Sequence, residues 1–258
     1  MSEREVLWHV SAESLAASAA ARLVARVVER QAATGRAHLV LTGGGIGTAV
    51  LTSLARTPGR DAVDWSALDI WWGDERFLPT GHPDRNETGA RAALLDQVPV
   101  DPARVHVIPG PDRVSSPQAS ADAYAALLAA AARPEDHGSV PAFDVLMLGI
   151  GPEGHVASVF PESPAVYEQE RMVVAVTGCP KPPPIRVTMT LPAINAARQA
   201  WILASGESKA RAIRLTLEPG AGRLQVPASG VRGRDQTLLL VDQAAASLLP
   251  PELVRPEA

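Results

Sequence analysis

Short apolar runs alternate along this chain with longer stretches in which apolar residues recur at helical spacing. Strands are predicted at 38–42, 68–72, 105–108, 143–148, 172–177, 200–204 and 237–241. Helices are predicted at 14–28 (closed by Gly35), 48–54, 86–95, 119–132, 207–217 and 243–249. This alternation is typical of a mainly parallel sheet with helices on both faces. We therefore expect an α/β, Rossmann-like fold in a single domain spanning residues 1–258.

Composition limits the kinds of partner. The formal charge of −4 gives no general attraction to nucleic acid or anionic membrane, so neither partner is expected. Arg22, Arg26 and Arg30 interrupt the alanine-rich N-terminal stretch, which excludes a continuous apolar signal or membrane segment there. The single Cys179 cannot form an intrachain disulfide. A cytoplasmic protein is expected, and a monomer is the default.

Parallel sheets bind ligands beyond the carboxyl ends of their strands, and three loops lie there. The first, 43–47, follows a strand and opens a helix, so the backbone N–H groups of Gly43, Gly44 and Gly45 can approach an anion without side-chain obstruction. A tight turn without a ligand remains open. No Gly-Lys-Ser or Gly-Lys-Thr follows, so the loop is not a Walker A loop.

The second loop, 73–86, carries a dense cluster of charge. Arg76 can hold a phosphate through its planar fork, and Asp74 or Glu75 can orient it or bind sugar hydroxyls. A solvated loop with local ion pairs is an equal alternative. His82 and Asp84 hint at a metal, but no His-x-x-x-His or Glu-x-x-His pair supports one, so no metal is predicted.

The third loop begins with 149–154, a match to the dinucleotide fingerprint G-x-G-x-x-G. A dinucleotide site needs a full crossover helix, whereas Pro161 and Pro164 confine a helix here to about two turns. The loop instead places His155 at the N-terminus of a short helix, whose dipole lowers the imidazole pKa and favours the neutral form that a general base requires. Glu153 would oppose this shift if it faces the ring. A structural histidine is an equal alternative.

Taken together, the three loops resemble those of the 6-phosphogluconolactonases, in the glucosamine/galactosamine-6-phosphate isomerase superfamily. That family carries a strand-ending glycine loop, a Gly-Asp-Glu-Arg loop followed by His and Asn, and a Gly-x-Gly-x-Asp-Gly-His-x-Ala-Ser-x-Phe-Pro motif, which here spans 149–161. Later motifs resemble 184–188, 191–192 and 205–210, so the resemblance covers roughly 38–230. Two departures are Gly45-Ile46-Gly47 in place of Ser-Thr-Pro, and Glu153 in place of Asp.

The resemblance implies a carboxylic ester hydrolase that converts 6-phospho-D-glucono-1,5-lactone to 6-phospho-D-gluconate in the oxidative pentose phosphate pathway. The phosphosugar lactone is then its small-molecule partner, and no cofactor is needed. His155 is implied as the catalytic base beside Glu153, and Arg76 and Lys209 as the phosphate ligands. The remaining implied substrate-site residues are Gly43, Gly44, Gly45, Asp74, Asn86, Gly151, Gly154 and Arg186. Only Lys181 and Lys209 among the 24 basic residues are lysine, which is mild evidence that position 209 needs a compact charge.

Three rival functions can be stated. A glucosamine-6-phosphate deaminase is similar in fold, but its carboxylate loop carries Asp-Glu-Tyr where this chain has Asp-Glu-Arg76. A sugar-phosphate sensor would not need His155, and the sequence before Leu39 holds one helix rather than a helix-turn-helix. A nicotinamide-dependent dehydrogenase would use the glycines of 149–154 for its cofactor.

Overall fold

The structure is a computed structural model that describes residues 4–136 and 138–256, apart from the side chains of residues 255 and 256. Its strands are β1 (Arg4–His9), β2 (Ala37–Leu41), β3 (Leu68–Trp72), β4 (Asp74–Arg76), β5 (Val145–Gly149), β6 (Val173–Val176), β7 (Arg186–Met189), β8 (Gln199–Ala204), β9 (Gln236–Asp242) and β10 (Arg255–Pro256). Its α-helices are α1 (Ala12–Thr34), α2 (Gly44–Arg56), α3 (Asn86–Ala93), α4 (Pro117–Ala131), α5 (Pro164–Tyr167), α6 (Leu191–Ile194) and α7 (Ala210–Leu217).

Seven strands form the main sheet in the order β10-β1-β9-β8-β5-β2-β3, and every neighbouring pair is parallel. The central strands β2, β5 and β8 are almost wholly buried, as expected of a sheet covered on both faces. The prediction of a mainly parallel sheet is therefore confirmed. Strand β1 precedes the helix that the sequence places first, and the apolar pattern did not reveal it.

Helices cover both faces of this sheet, as predicted. Side chains of α1 and α2 pack around Leu39 and Leu68 on one face, with Leu23 and Leu54 among them. Trp71 points to the opposite face, because successive strand residues alternate, and its ring lies 6.1 Å from that of Tyr124 on α4. Helix α1 ends at Gly35, whose N–H donates to the carbonyl of Gln31.

A second sheet has three antiparallel strands in the order β4-β7-β6. The predicted strand at 172–177 belongs to this sheet rather than to the parallel one. Strand β4 follows β3 after Gly73 alone, so the small sheet projects from the carboxyl edge of the large one. This brings Arg76 opposite Arg186 on β7, two positions that lie far apart in the sequence.

The predicted strand at 105–108 is wrong. Val105 forms one isolated bridge to Ile70, and the His106 N–H donates to the Ile70 carbonyl at 2.9 Å. Further along β3, the Tyr124 hydroxyl accepts from the Trp72 N–H at 2.9 Å and donates to the Trp72 carbonyl at 3.1 Å. A side chain thus takes the hydrogen-bonding positions that another strand would occupy.

The predicted helix at 243–249 is also wrong, because this segment forms consecutive turns. Its first turn is fixed by Asp242, whose carboxylate accepts the Ala245 N–H at 2.8 Å and whose carbonyl accepts the Ala246 N–H at 2.9 Å. Pro250 and Pro251 then follow, and proline cannot continue the hydrogen bonding of a helix.

Within the described part of the chain, no helix has the length and apolar character needed to cross a membrane.

Candidate active site

A cavity of about 270 Å³ lies at the carboxyl edge of the sheet, among the loops that follow β2, β3, β5 and β8. It brings together nine of the predicted site residues: Gly43, Gly44, Asp74, Arg76, Asn86, Gly151, His155, Arg186 and Lys209. Gly45, Glu153 and Gly154 do not line it. A larger cavity of about 660 Å³ lies beside Glu153, but neither His155 nor the two predicted phosphate ligands line it.

The glycine loop is the first turn of α2 rather than a turn before the helix. Gly43 is its N-cap and provides no side-chain cap, so the first N–H groups of α2 remain available to a ligand. A Cβ at Gly43 would lie 1.9 Å from Oδ1 of Asn86, so only glycine allows the amide to pack against this backbone. Gly45 is exposed and does not line the cavity.

Asp74 is buried, and its contacts fix the position of Asn86. Its Oδ2 accepts from the Ser158 hydroxyl at 2.6 Å, and the Asn86 amide donates to its carbonyl at 2.9 Å and to Oδ1 at 3.3 Å. The guanidinium of Arg186 lies 4.0 Å from Oδ2. Asp74 therefore connects the start of α3, the start of β7 and the loop after β5 at the edge of the cavity.

Glu75 and Arg85 support this arrangement from below. The Glu75 side chain is 2% exposed and accepts the backbone N–H groups of Arg76, Asn86 and Glu87 at 2.7–2.9 Å. Burial raises the pKa of Glu75, whereas Arg85 and these N–H groups oppose the rise. Sequence reasoning did not predict the role of Arg85, because no spacing rule links position 75 to positions 85–87 across a loop.

The two predicted phosphate ligands both line the cavity. Arg76 donates to the carbonyl of Asp84, and its buried Nε has no protein partner. Lys209 ends a 3₁₀ turn, Glu207–Lys209, that follows β8 and precedes α7. Burial and the nearby Lys181 lower the pKa of Lys209, and Glu153 opposes this shift.

Arg186 lines the cavity, but most of its N–H groups already have protein acceptors. Nε donates to the Pro183 carbonyl at 3.1 Å, and Nη2 to the carbonyls of Lys181 and Pro182 at 3.1 and 3.4 Å. Nη1 lies 3.4 Å from the Ser158 hydroxyl. These bonds anchor the segment 181–183, and substrate binding by Arg186 stays a prediction.

The predicted short helix beginning at His155 is absent. Residues 151–160 form turns with two isolated bridges, and the Gly151 N–H donates to the His155 carbonyl at 2.9 Å. The His155 side chain is 14% exposed and stacks on Phe160 at 4.3 Å between centroids. Burial lowers the pKa of His155 to about 4, with a smaller contribution from Lys181 and an opposing one from Glu153. The neutral form was predicted correctly, but burial rather than a helix dipole is the main cause.

Glu153 faces the imidazole. The sequence had left open whether it does. Its Oε1 lies 3.1 Å from Nδ1 of His155, although the angle is not that of a hydrogen bond, and Oε2 accepts from Lys181 Nζ at 3.1 Å. Burial would raise the pKa of Glu153, but its own backbone N–H, Lys181 and His155 together lower it. The carboxylate is therefore ionised beside a neutral ring.

The glycines of 149–154 serve this histidine. A Cβ at Gly151 would lie 1.9 Å from His155 Nδ1 and 2.6 Å from Glu153 Oε2, so the two side chains lie directly on its backbone. Gly154 donates its N–H to the Gly151 carbonyl, and its own carbonyl accepts from Ala228. The space that a pyrophosphate would need beside Gly151 is thus filled by the protein's own side chains.

Lys181 lines the cavity and was missed, although the sequence held a signal for it. It is the other of the chain's two lysines, so the argument from rarity applied to it as well as to Lys209.

Among the described residues, no group of three or more His, Cys, Asp or Glu side chains is arranged to hold a metal ion.

Comparison with known proteins gives a consistent assignment. A family model described as glucosamine-6-phosphate isomerases/6-phosphogluconolactonase matches residues 10–240. The chain is 56% identical over 254 residues to the 6-phosphogluconolactonase of Streptomyces coelicolor, covering 98% of this chain and 97% of that protein. It is 46% identical over 238 residues to that of Mycobacterium tuberculosis, covering 92% and 94%. The solved structure of 6-phosphogluconolactonase from Trypanosoma brucei matches with a TM-score of 0.82 at 25% identity, covering 97% of this chain and all of that one (100%). This chain belongs to the glucosamine-6-phosphate isomerase/6-phosphogluconolactonase family.

Proposed function

We propose that this protein hydrolyses 6-phospho-D-glucono-1,5-lactone to 6-phospho-D-gluconate, with His155 as the general base. The observation that carries the proposal is a neutral, mostly buried imidazole on a cavity that Arg76 and Lys209 also line. The relatives named 6-phosphogluconolactonase support the same substrate.

The charge of the cavity suits a phosphorylated ligand. Four cationic side chains line it, namely Arg76, Lys181, Arg186 and Lys209, against one carboxylate, Asp74. This local excess of positive charge stands out in a chain whose formal charge is −4. Arg76 and Lys209 bind the phosphate in this proposal, because their charged groups are the least committed to protein acceptors.

The chemistry proceeds by general base catalysis. With its proton on Nδ1 toward Glu153, His155 uses Nε2 to deprotonate water, whose oxygen attacks the lactone carbonyl carbon. The N–H of Gly44 at the N-terminus of α2 stabilises the oxyanion, and Gly45 is less well placed because it lies outside the cavity. The carbon–ring oxygen bond then breaks, and protonated His155 returns its proton to that oxygen.

General base catalysis and oxyanion stabilisation are together large enough to account for hydrolysis of a lactone, which is an activated ester. General base action typically supplies ~10²–10⁴-fold. One donor to the oxyanion contributes roughly 2.7–4 kcal/mol.

The test is hydrolysis of freshly generated lactone, followed by acid release, for the native protein and His155→Ala. We expect His155→Ala to lose at least about 100-fold in kcat, the lower bound of general base action, while 6-phosphogluconate binding changes little. His82→Ala is the matched control, because His82 lies on an exposed loop outside the cavity. Near-native turnover by folded His155→Ala would refute the proposal, and ammonia release from glucosamine 6-phosphate would favour the deaminase.

We propose further that one copy of the chain is sufficient for activity. Nine of the twelve predicted site residues meet in this one cavity without a contribution from a second copy, which supports a monomer acting as one domain. Light scattering combined with the activity assay checks this, since activity confined to a dimer would contradict it. A cytoplasmic location stays a prediction.

A further inference from the structure

We propose that Lys181 is a positioning residue, which holds Glu153 against the imidazole of His155 and so keeps the base oriented for attack. This inference rests on the proposed function. It assigns Lys181 a role distinct from that of the phosphate ligands, although all three cations line the same cavity.

The three side chains form a chain of contacts. Lys181 Nζ donates to Glu153 Oε2 at 3.1 Å, and Glu153 Oε1 lies 3.1 Å from His155 Nδ1. Each carboxylate oxygen therefore faces one partner. Loss of Lys181 would leave the carboxylate with its own backbone N–H and the contact to His155, whose angle is already outside that of a hydrogen bond.

The contact with Lys181 matters because the residue at position 153 is a glutamate. It has one more rotatable bond than aspartate, so holding its carboxylate in one place costs more side-chain entropy. The backbone of Gly151 limits its movement on one side, because a Cβ there would lie 2.6 Å from Oε2. Lys181 restrains the same oxygen from another direction.

Lys181 is itself held in place by the protein. Arg186 donates to the carbonyls of Lys181, Pro182 and Pro183, which fixes the backbone that carries the lysine. The Arg186 guanidinium carbon lies 5.9 Å from the centre of the Phe160 ring, and that ring stacks on His155. These contacts form a closed ring around His155. A change of charge at position 181 can therefore change the orientation of the imidazole.

A phosphate ligand and a positioning residue predict different kinetics. A residue that acts through Glu153 changes kcat and loses its effect once Glu153 is removed. A phosphate ligand changes KM by the same factor whether or not Glu153 is present. A double-mutant cycle with Lys181→Met and Glu153→Ala separates the two, because residues in direct contact show an interaction energy whereas independent ones add.

We expect Lys181→Met to lower kcat about 10-fold in the native background and less than about 2-fold in Glu153→Ala, with KM changed less than about 2-fold in both. Lys181→Arg should recover most of the native kcat, because it restores a cationic donor. Arg171→Met is the matched control for loss of one positive charge, since Arg171 is exposed and does not line the cavity. Circular dichroism confirms that each variant is folded, and Lys181→Gln replaces Lys181→Met if the latter is not.

Two results would overturn the proposal. An equal rise in KM with and without Glu153 would make Lys181 a phosphate ligand, and a native kcat in Lys181→Met would make the contact irrelevant. Both are read with a native enzyme that hydrolyses the lactone and a His155→Ala variant that does not. A failure of the proposed function would instead appear in those two reference proteins.

Discussion

The environment of His155 sets the pH range in which it can act as a base. Burial is the main cause of its lowered pKa, Lys181 and Glu153 act in opposite directions, and Asp74 adds a smaller upward contribution. A neutral imidazole is therefore present throughout the neutral range. A lower pKa also makes the base weaker, so the site gains availability at the expense of proton affinity.

This environment predicts the acid limb of the pH profile. As pH falls through the His155 pKa of about 4 in the unliganded site, the imidazole takes up a proton and kcat/KM is lost, so the His155 contribution to kcat/KM should remain near its plateau at pH 5.5. The ionisation of the free substrate is measured separately and removed from the profile. In Glu153→Gln the limb should move to lower pH, because the carboxylate that favours protonated His155 is gone. A limb near the usual histidine value of 6.5 in the native enzyme would contradict this.

The sequence identified most of this site because its residues follow strands at one edge of the sheet. The glycines near α2, Arg76 and His155 could all be found in this way, and Lys209 through the family resemblance. Lys181 was missed although its rarity was a signal, because it lies in a proline-rich segment that Arg186 holds at the site through carbonyl contacts. The predicted cause of the lowered His155 pKa, a helix dipole, was also wrong, because burial depends on packing that no local pattern reveals.

At the scale of elements, Tyr124 links α4 to the edge strand β3. Its hydroxyl pairs with both backbone groups of Trp72, directly before Gly73 and the loop that carries Asp74 and Arg76. Burial raises the pKa of Tyr124 far above its usual value, so the hydroxyl stays neutral and can both donate and accept.

Removal of this hydroxyl should destabilise the protein. Tyr124→Phe leaves the Trp72 N–H and carbonyl buried without a partner, which costs about 1–3 kcal/mol in the free energy of unfolding. Urea unfolding measures the change, and Tyr167→Phe is the matched control because Tyr167 is 55% exposed. An equal effect in the two variants would show that the hydroxyl does not support β3.

The errors in predicting elements have the same origin. The apolar run at 105–108 has the composition of a strand, but a tyrosine on a distant helix occupies part of the edge to which it would pair. The β4-β7-β6 sheet was not anticipated because β4 has three residues and its partner lies more than 100 residues away. Long helices such as α1 and α4 were recognised because local periodicity and capping residues determine them.

At the scale of the whole molecule, two partly or fully buried histidines lie at opposite edges of the main sheet. His155 follows β5 at the carboxyl edge, and His38 lies near the start of β2, where it accepts a hydrogen bond from the Trp71 indole. Burial is the main cause of the lowered pKa at both. We therefore expect protonation of these histidines at low pH to destabilise both ends of the sheet.

This arrangement predicts how stability depends on pH. In the unfolded chain both histidines take up a proton near the usual histidine pKa of 6.5, whereas in the folded protein they do so at lower pH. As pH falls below 6.5 the unfolded state binds more protons, so the free energy of unfolding decreases, by up to about 1.4 kcal/mol per pH unit for each histidine. For His155 the decrease continues to about pH 4.

Comparing native protein with His155→Ala isolates this contribution, because Glu75, whose pKa is raised, acts in the opposite direction in both proteins. Urea unfolding between pH 7 and pH 4.5 should give one transition at each pH, which tests the predicted single domain. The native protein should lose more stability over this range than His155→Ala, because only the native protein has the His155 imidazole, whose pKa is lowered in the folded state. Equal losses would place the proton uptake elsewhere, and two separate transitions would contradict a single cooperative unit in which the sheet connects both histidines.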